Sequence, residues 1–88
     1  MTMSYRPEAL SELLATLLAA FEGGVERVVL DLDPLAHLDA EGVRGLITLL
    51  RRSREVGGAI ALHTSRSDIS RSLSLMALDR LFPMVSAA

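Results

Sequence analysis

The apolar and polar positions of this chain fall into alternating helical and extended blocks. In "RPEALSELLATLLAAFEGG" the large apolar residues are Leu10, Leu13, Leu14, Leu17, Leu18 and Phe21, a spacing that draws one apolar stripe along a helix. Pro7 suits the first turn, where its missing N–H has no partner to lose, and Gly23 and Gly24 supply the stop. Burying each of these side chains contributes roughly 1.5–3 kcal/mol before entropy. An isolated helix cannot collect that, so the stripe must face a sheet or another helix. "ERVVLDL" then reads as a strand buried on both faces, ended by the turn-rich "DPLAHLD" with Pro34.

From residue 40 to about 56 the helical period returns, with Val43, Leu46, Ile47 and Leu50 on one face. Arg51, Arg52 and Arg54 crowd the last turn, where positive charge suits the helix dipole, and Gly57–Gly58 closes it. "AIALH" is a second buried strand. "SDISRSLSLMALDRLF" is a third helix with Ile69, Leu73 and Met76 inward, and residues 83–85 form a short final strand. Helix and strand alternate with short connections. That order predicts one α/β domain over residues 1–88, with a mostly parallel sheet and right-handed crossover helices.

Composition narrows the function classes. Half of the 88 residues are apolar, enough for one small core and too many for disorder. A net charge of −2 argues against nucleic acid, whose binders present a basic face. The absence of cysteine removes disulfides, zinc thiolate sites and thiol nucleophiles. "LLATLLAAF" is too short to span a bilayer, and the N-terminus lacks the basic, apolar and cleavage regions of a signal peptide. The expected address is cytoplasmic.

The stretch "HLDAEGVRGL" carries the candidate site. Asp39 is placed to cap a helix, and Glu41 lies in its first turn, where the dipole favours negative charge. Both carboxylates are thereby accounted for as helix starters. Gly42 and Gly45 are not, since each costs about 1 kcal/mol against alanine in a helix. They suggest a bare helix face that a partner's backbone approaches. His37, Asp39 and Glu41 alternate as metal ligands would in an extended segment, but the helical period makes Glu41 helical instead. A Ser–His–Asp hydrolase built on His63 lacks a nucleophile elbow, and "FEGGVER" lacks the lysine of a phosphate-binding loop. No enzyme, cofactor or metal is expected.

From Val28 to Pro83 the chain resembles the STAS domain, the family of sulfate transporters and bacterial anti-sigma factor antagonists. The resemblance rests on a strand ending in Asp-Leu, on "DAEG" opening a helix, on the Gly-Gly after it, and on "LDRLFP". It implies a non-enzymatic protein-interaction module like an anti-sigma factor antagonist. Asp39 falls on the family's aspartate and Gly42 on its glycine. Ala40 replaces a hydroxyl residue, and Glu41 falls on the serine or threonine that a kinase phosphorylates. Glutamate there is a fixed phosphomimic, carrying one charge where phosphoserine carries about −1.5 to −2. The implied docking rim comprises Asp33, Asp39, Ala40, Glu41, Gly42, Arg44 and Gly45, with Thr64, Ser65 and Arg66 on the neighbouring loop. Ser65 or Ser67 is also expected to cap the third helix, with Asp68 in its first turn. The expected partner is an anti-sigma factor, a kinase-like protein or another regulatory protein. The alternative is a STAS subunit of a larger assembly, stressosome-like or a lipid-transport ATPase complex.

The family's one or two leading strands have only "MTMSYR" in their place. The strand at residues 27–32 is therefore expected to show a bare edge. Self-association follows as an expectation, most simply a two-fold dimer burying that edge or its adjoining helix. The competing expectation is that residues 1–6 fold back as a short strand, or that the sequence is part of a longer protein.

Overall fold

A computed structural model describes residues 1–85 of the chain. Strand β1 (Thr2–Ser4) leads through a 3-10 turn at Pro7–Ala9 into helix α1 (Leu10–Glu22). Strand β2 (Arg27–Asp31), helix α2 (Ala40–Glu55), strand β3 (Ala59–His63) and helix α3 (Ser67–Leu75) follow, and a second 3-10 turn covers Leu78–Arg80. The three strands form a parallel sheet in the order β1-β2-β3. The small α/β fold with crossover helices expected from the sequence is the fold observed.

The bare edge is not observed. β1 pairs with β2 in the register Thr2↔Val29, Met3↔Leu30 and Ser4↔Asp31, so the first strand of the sequence reading is the central one. The residues before Pro7 supply the strand that covers this edge, and the edge argument for self-association falls. On the far side of β3, the expected strand at residues 83–85 shrinks to a single parallel bridge, Leu62↔Met84. It is held by Leu62 N–H to the Pro83 carbonyl and Val85 N–H to the Leu62 carbonyl.

β2 is not buried on both faces either. The pleat sends Val28 and Leu30 to one side, beside their register partners Ile60 and Leu62, and all four are buried. The opposite side carries Val29 and Asp31 with their partners Thr2, Ser4, Ala61 and His63, and of these Ala61 alone is buried. Successive parallel neighbours joined by crossovers of one hand put α1 and α2 on the same face, so one layer of helix covers one face. Leu17, Leu46 and Leu49 fill the space between, in one core with Tyr5, Leu32, Ile69, Leu73, Leu78 and Phe82. Leu49 lies beside the predicted stripe and is nonetheless fully buried.

The third helix stops sooner than its sequence suggests. α3 ends at Leu75, and Ala77 adopts the left-handed conformation at φ 56 before the chain turns through Leu78–Arg80. This break turns Met76 outward, 41% exposed, where the sequence placed it inward. Gly57, at φ 76, ends α2 in the same left-handed region, which glycine enters without strain.

Candidate functional site

The rim lies where α2 begins. Asp39 is extended, and its Oδ1 accepts from Gly42 N–H at 2.9 Å, the capping bond expected of it. That bond, with His37 nearby, holds its carboxyl below the usual range. His37 Nε2 stands 3.5 Å from the other carboxylate oxygen, both groups well exposed. Ala40, Glu41 and Arg44 are exposed on the first turns, so this part of the expected rim faces outward.

Gly42 and Gly45 do not. Both are buried: the chain's own Tyr5 fills the space beside Gly45, while Leu38 and Pro7 pack against Gly42. The Tyr5 hydroxyl donates to the Gly42 carbonyl at 2.6 Å, and a Cβ on Gly45 would stand 2.2 Å from that hydroxyl oxygen. The gap at Gly45 is thus a socket for Tyr5, and neither glycine is an open surface for a partner. Burial first, then the negative fields of Asp39 and Glu41, push the Tyr5 hydroxyl up to about 12. Sequence reasoning missed Tyr5. The signal for it was present: two unexplained glycines three apart in a helix, and one tyrosine in the chain.

The neighbouring loop is built into the rim by reciprocal ties. Asp33, just past β2, accepts from Thr64 Oγ1 at 2.7 Å, from Ser65 N–H at 2.8 Å and from Ser65 Oγ at 2.6 Å. Those bonds, Ser65 Oγ foremost, bring its carboxyl down to about 2. Arg66 returns the connection, donating to the carbonyls of Asp33 at 3.2 Å, Leu35, and Ala36 at 3.1 Å. Its guanidinium also meets Asp68 at 2.7 Å. Neither Ser65 nor Ser67 caps α3: its N-cap is Arg66, which makes no side-chain capping bond. Ser65 is spent on Asp33 instead.

Asp31, Asp33 and His63 place one ligand atom each within 4.8 Å of one another, the one such group among the described residues. The three bonds onto Asp33 already account for it as a loop tie, and His63 Nδ1 lies 3.1 Å from the Val85 carbonyl. The alternating His37, Asp39 and Glu41 do not converge on a point, because Glu41 is helical.

A family model described as "Mlab, STAS domain" matches residues 4–86. The chain belongs to the STAS domain family. The solution structure of a protein designated TM1081 is similar to it with a TM-score of 0.75 and 19% identity, covering 98% of this chain and 73% of that one. At that identity the likeness speaks for the STAS fold alone. STAS domains in general are regulatory and interaction domains, which directs attention to the rim's outward-facing residues. Among the described residues no helix is long and apolar enough to cross a membrane.

Proposed function

We propose that this STAS domain is a non-enzymatic docking module of the anti-sigma factor antagonist kind, with Glu41 as a permanent negative charge at the switch position. The observation that carries the reading is the setting of Glu41. It is exposed in the first turn of a capped helix, and the loop that leads into that helix from β2 is locked to the loop after β3 through Asp33 and Arg66. A partner meets a preformed surface and loses little freedom in ordering it. The surface consists of Asp39, Ala40, Glu41 and Arg44 with the outer side of Ser65. Thr64, Arg66 and Asp33 hold it, and Gly42 and Gly45 support it from beneath. A second reading, a subunit of a larger stressosome-like or lipid-transport ATPase assembly, is equally compatible with the STAS match over residues 4–86. Both readings use the same rim.

Photo-crosslinkers placed at Ala40 and at Thr2 test this in the source cell. Capture of one defined protein from Ala40 and not from Thr2, weakened by Glu41→Arg, supports the rim. Capture through Thr2 alone overturns it. A cognate kinase should label the Glu41→Ser variant and leave the wild-type segment 38–43 without phosphate, because Ala40 and Glu41 offer no hydroxyl.

A further inference from the structure

The opposite end of α2 carries two features that the docking rim does not use. One is an open groove of about 520 Å³ between α2 and the turn after α3, lined by Ile47, Leu50, Arg51, Arg54, Glu55 and Leu81. It continues beside Gly58, Ile60 and Pro83 toward β3. Its apolar members include Leu81, 44% exposed. Among the described residues Arg51 and Arg54 have no carboxylate within ion-pair distance, whereas Arg52 has Glu55 at 3.5 Å. An apolar groove edged by two uncompensated guanidiniums suits an apolar side chain with a carboxylate beside it.

Such a surface exists on the same molecule. On the other flank of α2, toward α1, Leu18, Phe21, Glu22 and Val56 surround a second hollow of about 360 Å³. Val56 is 54% exposed, and Glu22 has no ion pair among the described residues. α1 bears Glu12 and Glu22 and no basic residue. The two hollows therefore lie at the same end of α2, on opposite flanks, one basic and one acidic.

We propose that the chain forms a closed two-fold dimer through this end of its helical layer, each copy's Leu18–Phe21–Glu22 patch seated over the other's Arg51–Arg54 groove. A two-fold axis parallel to α2 exchanges its flanks, so one rotation makes both complementary contacts and leaves neither hollow open. Glu41 and Arg54 are thirteen residues apart, about 20 Å along the helix, so the groove and the docking rim are separate surfaces of α2. The proposal is independent of the function assigned to that rim. It also differs from pairing through the β2 edge, which β1 covers.

Sedimentation equilibrium of the full chain at low and high salt, with single and paired charge reversals, tests it. The expected result is a dimer that weakens as salt rises. Glu22→Arg and Arg54→Glu should each weaken self-association about tenfold or more, because each sets like charges opposite one another at both contacts. Both residues are exposed, and circular dichroism verifies that each variant is folded. An equimolar mixture of the two variants should recover association, as should the double variant, since either arrangement restores an opposite pair at each contact. A monomer at every concentration overturns the proposal. So does a dimer indifferent to both reversals, or a loss in both variants that mixing does not repair.

Discussion

At the N-terminal end of α2, most of the polar groups find partners within the chain, whereas at its C-terminal end Arg51 and Arg54 have no ion pair among the described residues and stand beside exposed apolar side chains. The first end is a lattice of short bonds: Asp39 to Gly42, Tyr5 to Gly42, Asp33 to Ser65 and Thr64, Arg66 to three carbonyls. The second has Arg51 and Arg54 beside Leu81, and Val56 beside Phe21. A rigid polar rim suits recognition by geometry and charge, since its groups are already ordered before a partner arrives. An apolar, basic groove suits association through burial, in which water leaves both surfaces. One helix thus presents two surfaces that respond to different perturbations.

The largest effect should come from breaking the socket beneath the rim. Gly45→Ala drives a methyl into the Tyr5 hydroxyl, which has no free space and is bonded to the Gly42 carbonyl. Overpacking and the disturbed buried bond together should destabilise the fold by about 2–4 kcal/mol. Tyr5→Phe alone should cost only about 1 kcal/mol. In the double variant the added methyl stands 3.4 Å from Cζ of the ring, an ordinary contact. Denaturant unfolding of the four proteins should therefore show Gly45→Ala much less harmful in the Tyr5→Phe background. Simple additivity would mean that the hydroxyl is not what the glycine accommodates.

Acid should loosen the same rim next, and reversibly. The Asp33 carboxyl lies at about 2, below its ordinary 3.8, so the native state binds fewer protons than the unfolded chain. Its contribution to stability is complete above about 3.8 and disappears as the pH falls through about 2. Unfolding midpoints measured across that window should decline less steeply in Asp33→Asn than in wild type. Hydrogen exchange should show the Ser65 amide, which donates to Asp33, losing protection over the same range. An unchanged slope in the variant would remove Asp33 as the tie between the two loops.

At the groove end the corresponding weak point is backbone. Ala77 sits at φ 56, where a side chain other than hydrogen is strained, and it sets the direction of the turn that carries Leu81. Ala77→Gly should stabilise by about 1 kcal/mol or less, the relief being partly offset by the greater freedom of glycine in the unfolded chain. Thermal unfolding measures it. Destabilisation would show that the methyl contributes more by contact than the left-handed backbone loses by strain.

These residues also show how much the sequence declared. Periodicity located α2 and β3 because their patterns are long or sharply bounded: β3 runs over "AIALH" as read, and α2 ends one residue early. Asp39 was legible as a cap because capping is local chemistry. The rest depended on contacts distant in sequence. "MTMSYR" has no period long enough to announce a strand, and it becomes one only because β2 offers it an edge. Gly42 and Gly45 drew notice as helix glycines, but what Gly45 makes room for lies far upstream, at Tyr5. Ser65 looked like a cap because serine is a good one, and Asp33 competed for it successfully. Ala77 hid the end of α3, since alanine is the best helix former and carries no stop signal.

The smallest expected effect sharpens the contrast between the two ends of α2 most directly. Glu41 is exposed at the positive end of the helix dipole, so Glu41→Gln should lower stability by about 0.3–1 kcal/mol, less at high salt. Glu55, at the negative end, is disfavoured by the dipole and compensated by Arg52 at 3.5 Å, so Glu55→Gln should change stability by roughly zero. A loss above about 3 kcal/mol on Glu41→Gln would mean that its charge is paired and buried rather than presented. Tyr5 provides an independent reading of the same charge. It is the one tyrosine in a chain without tryptophan, so tyrosinate absorbance reports it alone. Its hydroxyl is raised from 10.0 to about 12, so its contribution to stability is complete below pH 10 and lost as the pH rises through about 12. Burial is the largest cause, and Glu41 contributes after Asp39. Glu41→Gln should therefore move the Tyr5 midpoint slightly downward and leave most of the elevation in place, while Glu55→Gln leaves it where it was. A midpoint unmoved by Glu41→Gln would separate Glu41 electrically from the socket, and the rim would lose the link between its exposed charge and its buried support.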